Sequence, residues 1–234
     1  MKNKLIIIVL LTFGSFFTIP QNNVINAQTL KNHELCSRKR HFGDITVCLP
    51  VIKGMVECYS NPSIKKRMNN LYYSKGNTIL GVYINSNVYK NASDLDKVQF
   101  GEFIFVYAPN QLKGININNS LLAKFSSATE NYLKMSWKEL KEEIDKKHDY
   151  LFTIKKPILL KTYMVGKKIS ISVLLIPLKV KDHTIINVEI LNIMEIKHRL
   201  ICSLYYTKFN GIESVKSAQK KNENMALKLV ILNK

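Results

Sequence analysis

The side chains of this chain that could bond a metal, cross-link, or act as nucleophile and base are its 4 cysteines and 5 histidines. Cys36, Cys48, Cys58 and Cys202 form an even set, which suits disulfides in an oxidising compartment but leaves their connectivity open. Cys48 and Cys58 are near enough in sequence for a local bridge, and that choice leaves Cys36 to pair with Cys202. The same residues could instead ligate a metal, since His33 stands shortly before Cys36, and His41 and Cys48 follow. A structural zinc site shows two short-spaced ligand pairs, and here only the first is short, so the thiols read as structural and no metal or cofactor is expected. Thiol catalysis would need a base beside an activated thiolate. His198 and Cys202 are the nearest such pair, and their spacing along one strand holds them about 13 Å apart, too far to act together.

Other reactive patterns fail on spacing. There is no Gly-x-Ser-x-Gly elbow, and His33-Glu34 lacks the second histidine of a zincin. The stretch VGKKIS, Val165 to Ser170, imitates the tail of a phosphate loop, but the earlier glycine it needs is Lys161. Asp94 and Asp96 alternate like calcium ligands without the carboxylates that should follow. Glu139, Glu142, Glu143 and Asp145 are interleaved with lysines, as on a solvated helix face, and His148 beside Asp149 suits a helix C-terminus. The chain therefore leans away from an enzyme. The alternative is an envelope hydrolase whose site is assembled from residues remote in sequence.

Two basic clusters are the remaining candidates. Arg38, Lys39 and Arg40 precede the first apolar strand pattern, and Lys65, Lys66 and Arg67 follow it, with Tyr59, Tyr72 and Tyr73 nearby. If that strand pairs with its neighbours, the clusters could converge into one anion-binding patch; separate charge runs facing water are the plainer reading. The net charge is +18, or +16 once Lys2 and Lys4 are set aside. Lys, Asn and Ile are all abundant, as AT-rich codons produce without selection for binding.

The elements that must carry these residues are mostly strands in the C-terminal half. PILLKTYMV and KKISISVLLIPL flank Gly166, which suits a tight reversal, and TIINVEILNIMEI and RLICSLYYTKF follow with almost no linker. Connections this short force antiparallel neighbours, so a four-stranded meander is expected. DITVCLP, NTILGVYI and EFIFVYAP add strands in the N-terminal half. A basic helix is expected from Pro62 to Leu71, with proline in its first turn, and a short helical turn between Asn85 and Gly101. Leu121, Leu122, Phe125, Ala128, Tyr132 and Leu133 recur at helical spacing, and Ser136 to Glu139 is a capping box that opens a second helix. The last helix is expected from Ile212 to Leu232, with Asn210 and Glu213 as its start signal and Val215, Ala218, Met225 and Leu229 as its seam, interrupted by Asn222. The class is α+β: an antiparallel sheet packed with helices, ending in a long C-terminal helix.

Location rests on the N-terminus. Lys2 and Lys4 precede an apolar run from Leu5 to Ile19, the n- and h-regions of a secretory signal. As a helix the run would reach roughly 22 Å, short of the ~30 Å hydrocarbon core. Cleavage is expected after Ala27, so residues 1–27 read as a signal peptide and residues 28–234 as a single exported domain with no transmembrane segment, periplasmic or extracellular. Outside the cytosol the positive charge argues against nucleic acid and for an anionic envelope component or a protein partner.

FGDITVCLP, Phe42 to Pro50, resembles the opening of PsbP-like domains, and the stretch from His198 to Asn233 resembles the final strand and long C-terminal helix of the same fold and of related exported bacterial proteins. The resemblance implies an antiparallel sheet with helices on both sides and a binding or accessory role, with no catalytic constellation to carry over. The expected function is a non-enzymatic binding or accessory domain of the cell envelope.

Overall fold

A computed structural model describes residues 36–69, 76–92, 95, 100–133, 153–180 and 183–234. The expected signal segment and the helix opened by the Ser136 capping box lie outside these residues. Strands β1 (Cys36–Phe42) and β2 (Ile45–Pro50) form a two-stranded hairpin. An eight-stranded sheet holds β3 (Met55–Glu57), β4 (Asn77–Asn85), β5 (Glu102–Pro109), β6 (Thr153–Ile154), β7 (Ile158–Val165), β8 (Ile169–Val180), β9 (His183–Ile196) and β10 (Arg199–Lys208), in the order β3-β4-β5-β10-β9-β8-β6, with β7 also on β8. Every pairing is antiparallel. Among the described residues the α-helices are α1 (Pro62–Asn69), α2 (Ser86–Asn91), α3 (Asn119–Leu133) and α4 (Gly211–Leu232).

The expected meander is present as β7-β8-β9-β10, because turns this short return each strand beside its predecessor. Strand β10 then pairs with β5, joining the two halves of the chain through partners such as Cys202 and Tyr107. Strand period puts Val188, Ile190 and Met194 of β9 on one face and Leu191 and Ile193 on the other. The first face packs against the β1–β2 hairpin and the α4 seam of Val215, Ala218, Met225, Ala226 and Leu229. The second packs against Ile64 and Met68 of α1 and Leu122 and Phe125 of α3. The molecule is an α+β fold with helices on both sides of its sheet.

Two local features differ from expectation, and one connection meets it. The run Cys36 to His41, read as a charge run facing water, is a strand. Helix α4 starts without a side-chain cap from Asn210; the Ser214 hydroxyl instead accepts from the Asn210 N–H at 2.8 Å and donates to the Gly211 carbonyl at 2.6 Å. The β9–β10 connection is Lys197-His198 alone, with φ of 49° and 61°, the conformation a type I′ turn demands. Left-handed backbone costs a residue with a Cβ on the order of 1–2 kcal/mol.

Candidate binding surface

Alternation along β1 turns Arg38, Arg40 and Phe42 inward and leaves Lys39 and His41 exposed. The inward arginines meet Glu57, whose side chain is only 3% exposed at the end of β3. Its Oε2 lies 3.2 Å from Arg38 Nε and 3.6 Å from Arg40 Nη2. Its Oε1 accepts the Tyr59 N–H at 3.0 Å and the Val82 N–H at 3.5 Å. Arg40 Nε also donates to the Leu80 carbonyl at 2.9 Å, and Arg38 bonds the Ser60 hydroxyl. A buried carboxylate is tolerable only when paired and hydrogen-bonded; the two arginines supply the pairing and the Tyr59 and Val82 N–H groups the hydrogen bonds. Their charge is spent on fastening the hairpin to β4.

Tyr59 joins this cluster to α1. Its ring centroid lies 6.0 Å from the Arg40 guanidinium, and its hydroxyl donates to Asn69 Oδ1 at 2.9 Å. Burial raises the phenol's pKa, and Arg40 and the Asn69 bond offset this only in part. Lys65 and Lys66 lie exposed on α1, while Arg67 stacks on Phe100 at 4.2 Å and reaches the Leu95 carbonyl at 3.5 Å. The structure thus brings Arg38 and Arg40 together, sends Lys39 to the opposite side of the hairpin, and leaves Lys65 and Lys66 in solvent.

Cysteine pairing differs from the expected Cys48–Cys58 and Cys36–Cys202 bridges. Cys36 and Cys48 are the disulfide pair, with Cα atoms 5.6 Å apart. The hairpin brings the start of β1 beside the end of β2, with Lys39 opposite Cys48 and a register shift after Cys36. Cys58 is free and buried under β4, its Sγ donating to the Val82 carbonyl at 3.3 Å, and Cys202 is free and buried within β10. Burial pushes both thiols up to about 12, that of Cys58 further helped by Glu57. Both are therefore neutral and inert near neutral pH. His198 stands in the β9–β10 turn outside Cys202's strand, so no thiol–imidazole pair forms.

The remaining described histidines are exposed and on separate elements: His41 on β1, bonded to Thr46 at 3.1 Å, and His183 at the start of β9. Among the described residues no group of at least 3 His, Cys, Asp or Glu side chains is placed to hold a metal ion, and no helix is long and apolar enough to cross a membrane. Sequence reasoning missed Glu57 as the partner of the arginines, because nothing near Glu57 in the chain points to β1. The β9–β10 turn was legible as a connection with almost no linker, but not that both of its residues take positive φ, since a two-residue hairpin can also close with positive φ at its first residue alone.

No protein-family model matches the chain, and no curated protein does. Among solved structures it is similar to the Ran-binding protein Mog1p of Saccharomyces cerevisiae, at 11% identity and a TM-score of 0.35, over 80% of this chain and 84% of that one. It is also similar to a mutant of protein Mog1, at 10% identity and a TM-score of 0.35, over 83% and 90% of the two chains. At that level of similarity neither structure bears on what this chain binds.

Proposed function

We propose that this chain is an exported cell-envelope domain of PsbP-like fold that acts by binding an anionic envelope component or a protein partner, not by catalysis. The observation that carries the reading is the Cys36–Cys48 disulfide on the outer hairpin. Such bonds persist in oxidising compartments and are rare where glutathione keeps thiols reduced. The Lys2, Lys4 and Leu5–Ile19 pattern supports the same compartment. A binding role is supported by the neutral, buried state of Cys58 and Cys202 and by the separation of His41, His183 and His198. The PsbP-like part of the reading rests on element order, with the strand at Ile45–Pro50 and the final β10–α4 pair.

Mass spectrometry of the protein recovered from native cells tests the compartment. The reading expects a chain beginning at Gln28, in the envelope or outside the cell, with Cys36 and Cys48 oxidised. A chain that keeps Met1, lies in the cytosol and carries free thiols at those positions overturns it. A pull-down from envelope extract then identifies the partner.

A further inference from the structure

One end of the sheet gathers connections that are distant in sequence. Strand order and direction place there the β1–β2 turn, the segment after β5, the β7–β8 turn and the β9–β10 turn. The contacts agree. Arg199 holds Asp44 of the β1–β2 turn through Nη2 bonds of 2.7 and 2.8 Å, and Lys197 Nζ donates to the Thr46 carbonyl at 2.9 Å. A Cβ on Gly43 would stand 3.2 Å from Lys113, and the Ile117 N–H donates to the His198 carbonyl at 2.9 Å. Glu195, buried, accepts the His198 N–H at 2.8 Å and faces Lys168 Nζ at 2.5 Å. Lys113, Lys167, Lys168, Lys197 and Arg199 lie at this end, where among the described residues the acidic contacts are Asp44 and Glu195.

Charge alone does not single out this end, because the opposite one carries Lys156, Lys179 and Lys208. Backbone conformation does. Among the described residues, the positive-φ positions outside this turn, Gly43, Gly54, Gly76, Gly166 and Gly211, are all glycine. Lys197 and His198 are the exceptions. AT-rich codons offer asparagine as freely as lysine, and Asn-Gly is the residue pair this turn favours. The chain accepts a backbone cost here and keeps a lysine and a histidine, of which Lys197 also bonds the Thr46 carbonyl and His198 Nδ1 stands 3.7 Å from Glu195 Oε1. Beside them Ile115 is 44% exposed and Met164, next to the β7–β8 turn, is 42% exposed.

We infer that this end of the sheet, Lys113, Lys167, Lys197 and His198 flanked by exposed Ile115 and Met164, docks on an anionic lipid surface. Cations met by phosphate head groups, with apolar side chains entering the head-group boundary, fit a membrane better than a soluble polyanion, which would leave Ile115 and Met164 in water. The inference deepens the envelope reading and rests on it for the leaflet that is met.

The test is sedimentation of the full chain with vesicles of phosphatidylcholine, with and without phosphatidylglycerol; any contribution of the N-terminal segment is common to all variants. Lys113→Gln/Lys167→Gln is expected to weaken binding to the anionic vesicles by about twentyfold and to lower its salt dependence. Lys156→Gln/Lys208→Gln, with the same charge change at the other end, is expected to shift it by about twofold or less. Lys197→Asn/His198→Gly should raise Tm by about 2–4 °C and weaken binding, the mark of a turn kept for its side chains. Ile115→Ser should weaken binding even at high salt. Equal losses from the two lysine pairs would overturn the inference in favour of net charge alone. So would unchanged binding by the turn variant, or no binding by the wild type. Tighter binding to inorganic polyphosphate, unaffected by Ile115→Ser, would overturn it in favour of a soluble polyanion. If the lysine pairs separate as expected but the native protein lies in the cytosol with Met1 retained, the envelope reading fails and the surface stands.

Discussion

Asn192 of β9 and Asn222 of α4, each with no exposed surface, exchange amide bonds in the middle of the core. Asn222 Nδ2 donates to Asn192 Oδ1 at 2.8 Å, and Asn192 Nδ2 donates to Asn222 Oδ1 at 2.7 Å and to the Ser203 hydroxyl at 2.8 Å. Buried polar groups are costly unless paired, so this pairing sets one register of the helix on the sheet. Asn222→Leu should destabilise by about 1–3 kcal/mol in urea unfolding, because it strands the Asn192 amide, whereas Asn192→Leu/Asn222→Leu should cost less than the sum of the singles. The sequence marks Asn222 as a break in the seam; its partner, thirty positions upstream on another element, is invisible there. The thiol of Cys202 is raised from about 9.0 to about 12 by burial. Its folded form therefore stays protonated where the unfolded form ionises, so its contribution is whole below about pH 9 and is lost as pH climbs toward 12. Thermal melts should fall steeply over that alkaline range, and Cys202→Ala should make the fall shallower.

At Gly81 the hairpin packs directly on the main sheet. A Cβ there would stand 2.7 Å from Leu49 Cδ1, and Leu49, fully buried in β2, has no room to retreat. Gly81→Ala should destabilise by about 1–3 kcal/mol, and Leu49→Ala should relieve part of that loss in the double variant, as chemical denaturation would show. The Asn233 side chain holds the same hairpin from the C-terminus: its Oδ1 accepts the Cys48 N–H at 2.6 Å, and its Nδ2 donates to the Cys48 carbonyl at 2.8 Å. Strands β7 to β10 and the α4 seam were legible, since their apolar periods survive burial on one or two faces. β1 was not. A strand whose inward residues are arginines reads as a solvated charge run until Glu57 is known to lie beneath it.

Across the molecule, the hairpin is closed on itself by a disulfide and fastened to the rest by an arginine pair on Glu57, the Arg199–Asp44 bridge and the Asn233 bonds. Closing a loop with a sequence separation of 12, the Cys36–Cys48 bond should contribute about 3 kcal/mol. Cys36→Ser, or reduction of the wild type, should lower the denaturation midpoint accordingly, and alkylation should find Cys58 and Cys202 unreactive until the protein unfolds. Local order in the chain already specifies most of the strands and helices, though not β1, together with the antiparallel run of the meander and the apolar stripe of the last helix, because periodicity and turn length act between near neighbours. Where Arg38 and Arg40 place their charge, why Cys58 and Cys202 stay apart as buried thiols, and which turns share one end of the sheet depend on β10 pairing with β5 and on the hairpin lying over β4. Those contacts join residues dozens of positions apart, and no local pattern encodes the partner.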